Sequence, residues 1–154
     1  MIKRMSHATI FVNNQNEALE FYRDKLGFKV HTDAMVGDDF RWLTMCTQEE
    51  PNFEIILMEP KAGMLMDEET CNLLRAIMAK GVLGAGAFHT DDCRGTYAAL
   101  KEKGVEFLSE PGGATIWNRN RVSRQLRELV QPHGTLGRPV AGEGHRKTYL
   151  SVVI

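Results

Sequence analysis

A histidine and a glutamate in the first 60 residues have the side chains best suited to chemistry. His7 lies in an alternating stretch at residues 5–12, and Glu59 closes an apolar stretch at residues 53–59. Imidazole nitrogens and carboxylate oxygens bind divalent metals, and such a metal can polarise an oxygen-bearing substrate. Three roles for His7 remain open: a metal ligand, a cavity residue that binds or orients a ligand, and a structural residue. Glu59 is either a second metal ligand or a solvated strand end.

No other pattern in the sequence matches a known catalytic arrangement. Ser-His-Asp and Cys-His spacings are missing, and GVLGAG at residues 81–86 is not a G-x-G-x-x-G motif that opens a helix. The other histidines carry no clear signal, and His89 is interpreted as a polar residue at a strand end. Three cysteines without a CxxC pair are interpreted as small buried hydrophobes in a reducing, cytoplasmic environment: Cys46, Cys71 and Cys93. The sequence contains no apolar run of about 18 residues, so it predicts no membrane span.

The first 60 residues predict a strand, a helix and three further strands. Ala8, Ile10 and Val12 share one face of the first strand, which places His7 and Phe11 on the other face. The remaining elements are a helix capped by Asn14 and ended by Gly27, and strands at residues 28–36, 40–47 and 53–59.

A second copy of this unit begins after a connection in which residues 67–80 have helical spacing. Residues 82–90 predict a strand, residues 93–103 a helix, and Gly104 its cap. The segments FVNNQNEALEFYRDKLGFKV and FHTDDCRGTYAALKEKGVEF share a strand, a polar turn, a helix, a glycine and a strand. The chain therefore contains an internal repeat of about 80 residues.

This doubled β-α-β-β-β unit, with a histidine on its first strand, resembles the vicinal oxygen chelate superfamily. That superfamily includes glyoxalase I, extradiol dioxygenases and bleomycin-resistance proteins. The segments HATIFVNNQNEALEFYRDKLGFKV and AFHTDDCRGTYAALKEKGVEF carry the resemblance. It implies an α+β fold of tandem β-α-β-β-β modules, glyoxalase-like, whose curved sheets face a shared cavity, often in a homodimer. The expected parts are a domain at residues 1–110, made of module one (3–60), a linker helix (61–81) and the start of module two (82–110), and an atypical tail at 111–154.

The resemblance also implies where a metal would bind. Enzymes of this superfamily usually use a His or Gln on the first strand, a Glu on the fourth, a His on the fifth and a Glu on the eighth. His7 falls on the first position, and Glu59 is the candidate on the fourth strand. The fifth-strand position falls on Ala85, and His89 lies four residues farther on, or about 13 Å away. At most two of the four ligands are present, which predicts an incomplete metal site.

The tail does not resemble the strands that should complete module two. Residues 111–154 contain seven Lys/Arg but only two Asp/Glu. With permissible codons, residues 115–131 can be read one nucleotide later as PYGIETEFRDNSGNWFS, which resembles the family's seventh and eighth strands. We hypothesise a frameshift close to residues 110–114; a natural basic tail is the alternative. As encoded, residues 121–131 could form a short amphipathic helix, and we expect little order in residues 132–154 apart from a β-prone end, TYLSVVI.

Three functions remain open at this point, and a nucleic-acid-binding arm in the basic tail is a distant fourth because no groove-reading motif accompanies its arginines. The first is small-molecule binding, of the resistance-protein type and without a complete metal site, in a cavity lined by His7, Phe11, Trp42, Leu57 and Glu59. The second is a lyase or dioxygenase that depends on a divalent metal held by His7 and Glu59. The third is a truncated product without function. A formal net charge of −1 gives no general case for nucleic acid or anionic lipid as a partner. The expected partners are a small-molecule ligand and a second copy of the chain.

Overall fold

The chain forms two units, each with its own sheet. The computed structural model describes residues 1–63, 65–81, 83, 87–107 and 148–151. Unit 1 is Met1–Ala79 and unit 2 is Lys80–Ile154. Unit 1 contains β1 (His7–Phe11), α1 (Gln15–Glu20), β2 (Lys29–Val36), β3 (Phe40–Cys46), β4 (Glu54–Met58) and α2 (Glu68–Ala79). Unit 2 contains β5 (Ala87–Thr90), α3 (Cys93–Glu102) and β6 (Thr148–Ser151). The predicted α+β class and the β-α-β-β-β order of module one are confirmed.

The four-stranded sheet of unit 1 has the order β1-β4-β3-β2. β1 pairs in parallel with β4, with His7 opposite Glu54, while β4 and β2 each pair antiparallel with β3. The β2–β3 register shifts between Val30 and Thr32, which makes His31 the extra residue of a β-bulge. The sheet therefore joins the first and last strands of the module side by side, and β1 and β2 form its edges.

One face of this sheet, together with α1, forms the core of unit 1. Because successive strand residues point to opposite faces, Ile10, Leu43 and Leu57 share a face, and all three are buried. α1 contacts β4 and contributes the buried Ala18, and the π-helical segment that follows α1, at residues 21–25, contributes the buried Tyr22. Full burial of one aliphatic side chain stabilises a fold by about 1.5–3 kcal/mol, so this face holds the helix against the sheet.

The predicted first helix is present, but its second half is π-helical. Asn14 caps α1, as predicted, because its side-chain oxygen accepts hydrogen bonds from the backbone of Asn16 and Glu17. A π-helical segment, Phe21–Lys25, continues α1. Gly27 then ends the helix at φ +76°, a backbone conformation that residues other than glycine disfavour because of their Cβ atom.

Unit 2 repeats the strand and helix that open unit 1. The Asp92 carboxylate caps α3 by accepting a hydrogen bond of 2.9 Å from the backbone of Gly95. β5 pairs antiparallel with β6, which lies within the β-prone end TYLSVVI and confirms that prediction. α2 confirms the helix predicted at residues 67–80. Ala85, the proposed frameshift and the helix predicted at residues 121–131 lie outside the described residues.

Candidate functional site

His7 lies near one end of the other sheet face, which also carries the buried residues Thr44 and Ile56. Its Nε2 is 3.4 Å from the Oε1 of Glu54, the residue opposite it on β4. Its Nδ1 is 2.9 Å from the hydroxyl of Ser6. Both ring nitrogens therefore face polar groups of the protein, and the imidazole ring itself remains available to a ligand.

Three aromatic side chains, His7, Trp42 and Phe40, form a surface that we name the aromatic platform. The ring centroids of His7 and Trp42 are 6.0 Å apart, with the planes at 54°. The centroids of Phe40 and Trp42 are 6.1 Å apart, with the planes at 61°. The His7 side chain is 37% exposed, and Trp42 and Phe40 are half-buried. The rings thus support one another and keep part of their surface accessible.

Glu54 links this platform to a second histidine. Its Oε2 is 3.1 Å from the Nδ1 of His31, the bulge residue of β2. Its side chain is 13% exposed, against 47% for His31. Sequence reasoning missed both residues, because their proximity depends on the β1–β4 register and on the bulge. A clue was available in the single acidic residue that opens the fourth strand.

The structure separates the five residues predicted to line one cavity. Alternation along β1 places Phe11 on the same face as His7, and Phe11 is half-buried. Leu57 belongs to the opposite face and is 0% exposed within the core. Glu59 follows the end of β4 and is exposed. His7 and Trp42 are therefore the predicted residues that the structure brings into ring contact.

Glu59 lines a different feature of unit 1, a cavity of about 350 Å³. The cavity combines charged, amide and apolar side chains, among them Arg41, Lys61, Gln15, Met35 and Leu65. Arg41 donates hydrogen bonds of 2.7 and 2.8 Å to Asp33 and one of 2.6 Å to Asn16. The hydrogen bonds from the guanidinium lower the pKa of the Asp33 carboxyl. Arg41 is thus held firmly at the cavity wall.

The two predicted metal ligands, His7 and Glu59, have distant backbone positions in unit 1. Glu59 comes five residues after Glu54, the residue opposite His7, and follows the last residue of β4. At the rise of an extended strand, the backbone positions of His7 and Glu59 are about 16 Å apart along the sheet. Among the described residues, no group of three or more His, Cys, Asp or Glu side chains is arranged to hold a metal ion. Ala85, the other position on which that prediction depends, is not described.

Comparison with known proteins places the sequence among relatives of one superfamily. A model of the Glyoxalase/Bleomycin resistance protein/Dioxygenase superfamily matches residues 4–126. The uncharacterized protein YurT of Bacillus subtilis (strain 168) is 38% identical over 126 residues, which cover 80% of this chain and 94% of that protein. The uncharacterized protein YetH of the same organism is 31% identical over 111 residues, covering 72% and 81%.

The solved structures that are similar to this chain include UcmS2 and TnmS3. UcmS2 is 41% identical, with a TM-score of 0.68 over 75% of this chain and 85% of that chain. TnmS3, an antibiotic binding protein from Streptomyces sp. CB03234, is 23% identical, with a TM-score of 0.54 over 73% and 79%. The likeness to TnmS3 shows the fold alone. Within the described residues, no helix is both long enough and apolar enough to cross a membrane.

Proposed function

The chain belongs to the Glyoxalase/Bleomycin resistance protein/Dioxygenase superfamily, and we propose that it binds a planar, aromatic small molecule on the aromatic platform. The supporting observation is the ring contact of His7 with Trp42 at 6.0 Å, on the sheet face opposite Ile10 and Leu57. Aromatic rings with centroids about 4.5–7 Å apart attract one another beyond the area that they bury. A flat ligand can therefore extend a row of rings that already exists.

The environment of His7 favours stacking over hydrogen bonding as its role. Ser6 and Glu54 lie beside its two ring nitrogens. Sites for small molecules combine apolar and aromatic walls with few polar groups, and the half-buried Phe11 on the same face adds apolar surface. The platform thus has the composition expected of a site for a ring system.

Among the structural relatives, TnmS3 is an antibiotic binding protein. By analogy, an antibiotic or another secondary metabolite with fused rings is the kind of ligand that we propose here. Binding alone would keep such a molecule from its target, which is a resistance function that needs no reaction.

The other predicted function, a metal-dependent lyase or dioxygenase with His7 and Glu59 as ligands, has less support. It requires two side chains to meet although their backbone positions lie about 16 Å apart along the sheet. Metal analysis of the purified protein after incubation with divalent cations tests it directly. A homodimer and a cytoplasmic location also remain proposals; the mass of the particle in solution tests the first.

Substitution of Trp42 tests the proposed function. The probes are three flat two-ring molecules, 1-methylquinolinium, quinoline and 2-naphthoate, with affinities measured by isothermal titration calorimetry. We expect Trp42→Ala to weaken the binding of each bound probe by about 3–10-fold, the range of an aromatic pair. Phe53→Ala removes an exposed phenylalanine outside the platform and should leave affinities unchanged. Equal affinities in wild type and Trp42→Ala, with both proteins folded by circular dichroism, would refute the proposal.

A further inference from the structure

The carboxylate of Glu54 lies between two histidines beside the aromatic platform. Its two oxygens are 3.4 Å from His7 Nε2 and 3.1 Å from His31 Nδ1. The side chain is only 13% exposed. A charge that is partly withdrawn from water interacts more strongly with its neighbours than a fully solvated charge. The carboxylate can therefore influence what binds to the adjacent rings.

No permanent cation forms an ion pair with this carboxylate in the described part of the chain. There, the ion pairs of Glu54 join it to the two histidines and to no lysine or arginine. Lys29 lies in the same row of the sheet, opposite Cys46 on β3, but no ion pair joins it to Glu54 within the described residues. No lysine or arginine side chain in that part of the chain therefore offsets the charge of the Glu54 carboxylate.

His7 connects this negative charge to an indole ring. It is within ion-pair distance of Glu54 and in ring contact with Trp42. Of the aromatic side chains, Trp binds a cation over its face most strongly. The His7 ring therefore lies between an indole ring and a carboxylate, and a ligand that stacks on the platform beside His7 is exposed to both.

From this geometry we propose that Glu54 makes the platform selective for an aromatic ligand that carries a positive charge. The inference rests on the proposed function, because it assigns the ligand class of the same site. A cationic ring gains attraction from both Trp42 and Glu54. A neutral ring of the same shape gains only stacking, and an anionic ring is repelled by the carboxylate.

The three probes of matched shape test this selectivity at about pH 8 and low ionic strength. Wild type should bind 1-methylquinolinium about fivefold tighter than quinoline, and 2-naphthoate most weakly. Glu54→Gln, which keeps the size of the side chain and removes its charge, should bring the ratio of cationic to neutral affinity close to one. Glu49→Gln removes an exposed acid elsewhere in unit 1 and should leave the wild-type ratio intact.

The outcomes for Glu54 and Trp42 are distinguishable. If Trp42→Ala weakens all probes while Glu54→Gln retains the wild-type ratio, the inference is overturned and the proposed function survives. If Trp42→Ala changes no affinity, the proposed function fails. The inference is also overturned if the wild type binds the three probes equally. It is overturned as well if the wild type binds none of them at millimolar concentration.

A measurement on wild type alone guards against misfolding of the Glu54 variant. Salt screens the attraction between charges, although less where a charge is partly buried, whereas it does not screen stacking. Raising NaCl from about 20 mM to about 500 mM should therefore lower the ratio of 1-methylquinolinium affinity to quinoline affinity. A ratio that stays constant or rises contradicts a role for Glu54.

Discussion

The side-chain amide of Gln15 donates a hydrogen bond of 2.8 Å to the backbone carbonyl of Leu57. The same nitrogen donates to the carbonyl of Arg41 at 3.2 Å. The first residue of α1 thus ties the helix to both β4 and β3, outside the β3–β4 pairs Thr44–Ile56 and Met45–Ile55. One side-chain amide therefore gives both carbonyls a hydrogen-bond donor that the β3–β4 pairing does not provide.

Replacing Gln15 should destabilise unit 1. Gln15→Glu loses the donor and places a carboxylate against two carbonyl oxygens, so we expect a loss of about 1–3 kcal/mol in the free energy of unfolding. Urea unfolding followed by circular dichroism measures it. Gln48→Glu makes the same chemical change at an exposed position and should be nearly neutral. Equal unfolding midpoints for the two variants would show that the bridge contributes little.

The ion pair of Asp33 with Arg41 predicts a pH dependence of a defined sign. Hydrogen bonds from Arg41 lower the pKa of Asp33. The pair therefore stabilises the fold above the pKa that Asp33 has when unfolded, and this contribution is lost as pH falls through the lower folded pKa. Because the Asp33 side chain is 38% exposed, its contribution is at the modest level of a surface pair.

Arg41→Gln tests this sign. The pKa of Asp33 should rise toward its ordinary value, and stability should fall less between about pH 6 and about pH 2 than in wild type. Carboxyl carbon NMR titration measures the first effect and urea unfolding the second. Asp67, whose pKa is lowered chiefly by its hydrogen bond with Thr70, is the internal control. An Asp33 titration curve that the substitution does not shift contradicts the assignment.

Tyr22 has a buried hydroxyl without a hydrogen-bond partner among the described residues. The residue is 0% exposed, and burial raises the pKa of its phenol. An unpaired buried hydroxyl costs free energy, so Tyr22→Phe should unfold at the same or a higher urea concentration than wild type. Tyr22→Ala should lose about 3–5 kcal/mol, because a large cavity replaces the ring. A clear loss in Tyr22→Phe would reveal a partner for the hydroxyl.

The repeated strand–helix pattern was predictable because its causes are local. Apolar alternation in β1, the Asn14 cap and the Gly27 end depend on residues within a few positions of one another. The candidate site instead depends on contacts between residues that are far apart in the sequence. Glu54 meets His7 only through the pairing of β1 with β4, and His31 joins them only because a bulge shifts β2.

The same dependence on register explains the different placement of Leu57. Alternation alone shows which residues of β4 share a face with Leu57. Only the strand pairing shows whether that face is the one that carries His7 on β1. The observed register puts Leu57 beside Ile10 in the core. The sequence alone therefore identifies candidate side chains, and the strand pairing determines which of them lie close together.

The cap of α3 makes an unusual prediction for Gly95. A glycine within a helix normally costs about 1 kcal/mol relative to alanine. Here the carboxylate of Asp92 occupies the position that a Cβ on Gly95 would need. Gly95→Ala should therefore raise stability less in wild type, where the carboxylate must move, than in an Asp92→Ala background, as measured by thermal unfolding of all four proteins. Equal effects in both backgrounds would contradict the predicted clash.

The coding DNA of residues 115–131 is predicted to read PYGIETEFRDNSGNWFS one nucleotide later. The superfamily match ends at residue 126, within this segment. A module that recovers its last two strands should bury apolar surface and cover an exposed sheet edge. A protein translated in the shifted frame from residue 115 should therefore unfold at a higher temperature than the present chain, which is its control. Codons that do not produce this string in the shifted frame would end the hypothesis and leave the basic tail as natural sequence.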